Sequence, residues 1–120
     1  MQKSLLLIAH GSRREASNEE VRTLSERLRV AADANFHEIG CAFLELAEPS
    51  IPDGIEALIG NGAEQVIVLP YFLAAGRHIT EDIPAEVAIK QRQHPQISIT
   101  IAPYLGTAED IPSLLLSLVK

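Results

Sequence analysis

Apolar residues in this chain fall into two recurring arrangements, one unbroken and one spaced. In "SLLLIAH", Leu5 to Ala9 form an uninterrupted run, the pattern of a strand buried on both faces. The next segment, "SRREASNEEVRTLSERLRVAADA", places Val21, Leu24, Leu28 and Ala31 at helical spacing with charges between them. That spacing predicts an amphipathic helix, with Ser12 and Glu15 at capping-box separation at its start. The alternation then repeats. "IGCAFLEL" predicts a second strand, and "SIPDGIEALIGNG" a short helix with Ser50 and Asp53 at capping spacing, stopped by Gly60 and Gly62. "EQVIVLPYF" is the most β-branched stretch of the chain and predicts strand three. "ITEDIPAEVAIKQRQ" predicts a helix from about Glu81, with Pro84 in the first turn, where proline is tolerated. "QISITIAPY" predicts strand four, and "TAEDIPSLLLSLVK" a last helix with Thr107 and Asp110 as another box.

Strands separated by single helices are expected to be parallel, with right-handed crossovers. The expected fold is therefore α/β: one doubly wound, flavodoxin-like, four-stranded parallel sheet in the order 2-1-3-4, with helices on both faces. Residues 1–120 are expected to form a single domain. At 47% hydrophobic residues, the chain has enough apolar surface to fold without disulfide staples. The lone Cys41 permits no internal disulfide and fits a reducing, cytoplasmic setting. Inside an apolar strand, it reads as an inert core residue. The run from Leu5 to Ala9 is too short for a signal-peptide core or a membrane span. A net charge of −6 disfavours nucleic acid and anionic membranes as partners.

In an open parallel sheet, ligands bind outside the carboxyl ends of the strands where the winding reverses. In the order 2-1-3-4 that place lies between strands one and three. The loops that follow them are "HGSRR" and "LAAGRH", each with a histidine, a glycine and an arginine, and strand two ends nearby with Glu45. His10, Glu45 and His78 make an open set for a borderline divalent metal, or a base near neutral pH. With no cysteines to complete a shell, a closed structural zinc site is not expected. Arg13 and Arg77, with Ser12 beside them, suit a ligand bearing carboxylates or phosphates, and Arg14 reads as an ordinary solvated charge. The apolar stretch at Phe72 and Leu73 reads either as a wall of the cleft or as a subunit contact. His37 and His94 lie at the amino ends of their strands and read as surface residues.

The motifs "LLLIAHGSR", "FLELAEPSI" and "VIVLPYFLAAGRHITEDIP" resemble those of the small class II chelatases of tetrapyrrole biosynthesis. These are the short sirohydrochlorin cobaltochelatases and their ferrochelatase relatives, and the resemblance runs from about Lys3 to Pro84. It implies ATP-independent insertion of Co2+ or Fe2+ into sirohydrochlorin, in cobalamin or sirohaem biosynthesis, with loss of two pyrrole protons. His10 and His78 would then bind metal and accept protons, and Glu45 would be their acidic partner. The metal would be a substrate, with no permanently bound cofactor. The greasy wall and the arginines fit a flat macrocycle with carboxylates on its rim. The resemblance also implies a homodimer, a second chain supplying the opposite wall of the cleft. Nickel insertion and a non-catalytic metal- or tetrapyrrole-binding protein of the same fold are the alternatives. A nucleotide or receiver module is disfavoured, because strand one ends in "IAHGS" rather than a phosphate loop or an acidic cluster.

Overall fold

In the computed structural model, which describes residues 2–120, the unbroken apolar run becomes β1 (Lys3–Ala9), buried from Ser4 onward. Its side chains alternate between two core layers. Leu6 and Ile8 enter one, and Leu7 and Ala9 the other. This is why the run does not alternate with polar residues. The remaining elements follow in the expected order: α1 (Glu15–Ala32), β2 (Glu38–Phe43), α2 (Ile51–Gly60), β3 (Gln65–Pro70), α3 (Ile83–Gln93), β4 (Ser98–Ile101) and α4 (Ile111–Ser117). The sheet is parallel throughout, in the order β2-β1-β3-β4. In this register Leu7 of β1 stands between Cys41 of β2 and Leu69 of β3.

Helices α2 and α3 cover one face, where Ile51, Ile55, Leu58, Ile83 and Val87 pack on Leu6, Ile8, Val66 and Val68. Helix α1 covers part of the other through Val21, Leu24 and Leu28 against Leu7, Ala9 and Phe43. Each large side chain fully buried in these layers contributes about 1.5–3 kcal/mol. No residue of α4 is buried. Among the described residues, no helix is long and apolar enough to cross a membrane.

Local detail departs from expectation at several points. The Ser12/Glu15 box does not form. Ser12 Oγ instead accepts from the Arg14 backbone amide at 3.0 Å, and Glu15 pairs with Arg22 at 2.7 Å. A short side chain in a turn competes for nearby amides, and here the turn wins over the cap. The Thr107/Asp110 box fails likewise, because the Thr107 hydroxyl donates to the Tyr104 carbonyl at 2.6 Å. The Ser50 cap does form, accepting from Asp53 N at 3.2 Å. On α1 the buried positions are Asn18, Val21 and Ser25, while Ala31 is exposed. Two polar side chains are buried there because both are bonded, Ser25 Oγ donating to the Arg22 carbonyl at 2.8 Å. His37 is exposed as expected. His94 is not a free surface group: its side chain is only 19% exposed and lies 2.9 Å from Glu56. Cys41 is half-buried, and burial pushes its thiol pKa up, consistent with an unreactive core-side residue.

Candidate metal-binding and proton-accepting site

β1, β2 and β3 end side by side, and backbone bonds continue just beyond their ends. Leu44 N donates to the Ala9 carbonyl at 3.0 Å, Glu45 N to the His10 carbonyl at 3.1 Å, and Tyr71 N to the Ile8 carbonyl at 2.7 Å. Gly11 makes the closest of these approaches possible. Its φ is +95°, and a Cβ there would stand 1.8 Å from the Glu45 carbonyl oxygen. Only glycine accepts both the backbone conformation and the contact. Behind it, buried Asn18 holds the loop from both sides. Its Oδ1 accepts from Ser12 N, and its Nδ2 donates to the Ser12 carbonyl, each at 2.9 Å.

These constraints bring His10 Nε2 to 3.4 Å from Glu45 Oε2. His10 Nδ1 lies 3.2 Å from the Gly11 carbonyl, which can only accept, so in that bond the proton sits on Nδ1. Nε2 then presents its lone pair to a carboxylate. Two acceptors facing each other at this distance call for a proton or a cation between them.

His78 reaches the same place from the third loop. Its backbone opens a π-helical turn, His78–Asp82, in which the Ile83 amide donates to the His78 carbonyl. Such wide turns are frequent at functional sites. The turn sets Asp82 Oδ2 2.7 Å from His78 Nδ1. A carboxylate on Nδ1–H leaves Nε2 as the free lone pair. The two imidazole rings lie 4.9 Å apart, inclined at 51°.

The apolar loop divides. Phe72 turns inward, half-buried against the core, with its ring 6.4 Å from that of His78. Leu73 turns outward and is 73% exposed. Gly106 fixes this loop from the far side, donating to the Phe72 carbonyl at 3.0 Å, so close to Leu73 that a Cβ would meet its carbonyl oxygen at 1.9 Å. Arg13 is exposed beside His10. Arg77 is 81% exposed and lies 3.4 Å from Glu81. Ser12 spends its side chain on shaping the loop.

A cleft of about 310 Å³ lies alongside, lined by Leu44, Glu45, His78, Asp82, Ala85 and Glu86. Burial, and then the neighbouring Asp82 charge, push the Glu86 carboxyl above its ordinary pKa. Asp82, Glu86 and Asn18 were not among the sequence candidates. The four-residue step from His78 to Asp82 is the spacing of side chains that meet on a helix, so that partner had a signal. Asn18 had none, standing among charged residues. His10 meets Glu45 on one side and His78 on the other, and among the described residues no three His, Cys, Asp or Glu side chains are grouped so as to hold a metal ion.

The CbiX family profile matches residues 4–120. The chain belongs to the CbiX family. Among similar proteins, the sirohydrochlorin ferrochelatase of Bacillus subtilis (strain 168) is 31% identical over 111 residues, covering 92% of this chain and 42% of that protein. The sirohydrochlorin cobaltochelatase of Methanocaldococcus jannaschii is 37% identical over 92 residues, covering 77% of this chain and 63% of that protein. The chain thus spans less than two thirds of the length of these relatives. Solved structures share its fold, two of them as follows. A CbiX protein from Marinobacter aquaeolei VT8 superposes with a TM-score of 0.79 at 31% identity, over 98% of this chain and 93% of that one. The sirohydrochlorin chelatase SirB from Bacillus subtilis subspecies spizizenii, in complex with cobalt, superposes at 0.88 and 29% identity, over 99% of this chain and 50% of that one.

Proposed function

We propose that this CbiX chain is a sirohydrochlorin chelatase, inserting Co2+ or Fe2+ into the macrocycle without ATP, in cobalamin or sirohaem biosynthesis. One observation carries the reading. Two imidazoles lie 4.9 Å apart at the switch point of the sheet, one of them beside Glu45, in a chain of this family. The reaction exchanges one divalent cation for two pyrrole protons, so it needs groups that take either. A neutral imidazole Nε2 does one or the other with the same lone pair. Two histidines divide the work, and Glu45 shares the positive charge, whether metal or proton, that arrives at His10.

The metal is a substrate in this reading, and no cofactor is permanently bound. A site that releases its metal to the macrocycle is served by donors that do not close into a full shell, and His10 stands between Glu45 and His78. Asp82 positions His78 by fixing its tautomer. In this reading Phe72 offers a face to the ring, Leu73 a rim contact, and the exposed Arg13 and Arg77 serve the peripheral carboxylates. The side chains of His10, Glu45 and His78 remain 47%, 53% and 42% exposed. A macrocycle has two faces, and a second copy of the chain supplies the wall that covers the other. The protein is read as a cytoplasmic homodimer.

The test is an absorbance assay with sirohydrochlorin and Co2+, Fe2+ or Ni2+. Insertion faster than the uncatalysed background supports the chelatase reading, and the fastest metal names the specificity. Tight binding of macrocycle or metal with no acceleration would instead establish a non-catalytic binding protein.

A further inference from the structure

The loop that delivers Glu45 is strained immediately after it. Leu46 has φ +65°, in the left-handed region that a residue with a Cβ rarely enters. Its side chain does not offset this by packing, being 54% exposed. A backbone held in such a conformation persists only where its surroundings fix it. Before the turn, Leu44 N and Glu45 N donate to the Ala9 and His10 carbonyls at 3.0 and 3.1 Å. After it, Ala47 packs on the layer of Leu7, Ala9, Val21 and Phe43, and Phe43 N donates to the Pro49 carbonyl at 2.9 Å. Glu48 stands between these anchors, and its carbonyl accepts from Arg22 Nη2 at 3.1 Å.

Arg22 is itself built into place. It follows the buried Val21 on α1, and its guanidinium lies over the fully buried Phe43 ring, 5.3 Å from the centroid. Nη1 donates to Glu15 at 2.7 Å and also to Glu19. Ion pairs along an exposed helix face stabilise little by themselves. Here they hold a rigid, planar fork so that Nη2 meets one backbone acceptor. Among the described residues, no other side chain of α1 hydrogen-bonds to the loop of residues 44–50. That loop also touches the next one, because the Glu45 carbonyl rests against Gly11. Any relaxation at Leu46 is therefore felt where His10 sits.

We propose that Arg22 is a positioning residue for Glu45. By holding the Glu48 carbonyl it closes the loop around the left-handed turn at Leu46, and so keeps the carboxylate 3.4 Å from His10 Nε2. The proposal rests on the chelatase reading for what Glu45 does, and not for where Glu45 is held. Arg22 makes no hydrogen bond to His10, Glu45 or His78, so its effect on the site passes through the loop.

The test is a double-mutant cycle of Arg22→Ala and Glu45→Ala on the full chain. It is read by Co2+ insertion into sirohydrochlorin and by the His10 ring resonances at one fixed pH, with folding checked by circular dichroism. Arg22→Ala is expected to lower kcat about tenfold, the low end for partners that orient a metal-site side chain, with KM for the macrocycle unchanged. The His10 resonances are expected to move towards their positions in Glu45→Ala. With Glu45 already removed, Arg22→Ala is expected to add less than about a twofold change, because both substitutions act on one contact. Leu46→Gly, which enters the left-handed region freely, is expected to return most of the rate lost in Arg22→Ala. Equal losses with and without Glu45 would overturn the proposal by showing that Arg22 acts elsewhere. His10 resonances unmoved by Arg22→Ala would overturn it as well. A wild type that inserts no metal above background would overturn the chelatase reading alone, since the resonances still decide the role of Arg22.

Discussion

Asp82 Oδ2 lies 2.7 Å from His78 Nδ1 across a single π-helical turn. The carboxylate decides which nitrogen of His78 carries the proton, and therefore which one faces the cleft. Asp82→Asn keeps the shape but turns an acceptor into a group that can also donate, and the tautomer is no longer fixed. Loss of such a partner typically costs 10–100-fold in metal affinity or activity. The expected outcome is a fall of about that size in insertion rate, with the thermal midpoint nearly unchanged and partial recovery in Asp82→Glu. An unaltered rate in Asp82→Asn would remove Asp82 from the account.

Gly11 is the point at which the β1 and β2 loops touch. Gly11→Ala forces an unfavourable φ and drives a methyl group into the Glu45 carbonyl. A destabilisation of at least about 2 kcal/mol is expected from denaturant unfolding. Activity is expected to fall further than stability explains, because the backbone shift that relieves the clash separates His10 from Glu45.

Asn18 supplies two hydrogen bonds to one loop residue from a buried position. Asn18→Ala leaves the Ser12 amide and carbonyl without their partner, at about 1–3 kcal/mol. Amide hydrogen exchange at Ser12 is expected to quicken first, with faster exchange confined to the His10–Arg14 loop. Uniformly faster exchange through the core would mean that Asn18 supports the fold rather than the loop.

Glu86 gives the chain a pH dependence of known sign. Burial, then Asp82, raise its pKa in the folded state above the ordinary value of 4.5. Between those two values the folded chain holds more protons than the unfolded one. The contribution is thus fully present below 4.5 and is lost as pH rises through the raised value. Glu86→Gln removes this loss, and its thermal midpoint at pH 7 is expected to exceed that of wild type. At pH 4 the two are expected to differ less. A variant less stable than wild type at pH 7 would contradict the sign.

Much of the fold was legible because its strands are buried on both faces. Leu5 to Ala9 is short, unbroken and apolar, as a doubly buried strand is, and single-helix crossovers make the strands parallel, the order 2-1-3-4 being that of the flavodoxin-like arrangement. The site's location was legible for a related reason: topology alone puts the loops after β1 and β3 together, and both carry a histidine. Contacts that depend on exact backbone paths were not. The turn at Ser12 and the bond from Thr107 to Tyr104 defeat two capping boxes that spacing alone favours equally with the Ser50 cap, which forms. Asn18 was hidden because a buried amide inside a charged helix has the same sequence signature as an exposed one. The exposure of α4 was hidden too, since an apolar helix has the same sequence pattern whether or not its own sheet covers it.

The central claim is that His10 and His78 jointly take the metal and the protons. It is tested most directly by the rate of Co2+ and Fe2+ insertion into sirohydrochlorin in wild type, His10→Ala and His78→Ala, with folding checked by circular dichroism. Both side chains are partly exposed, so the variants are expected to fold. Each is expected to lose about 10²–10⁴-fold in rate, with the double variant little worse than the singles because the two act as a unit. A rate equal to wild type in both single variants would contradict the account.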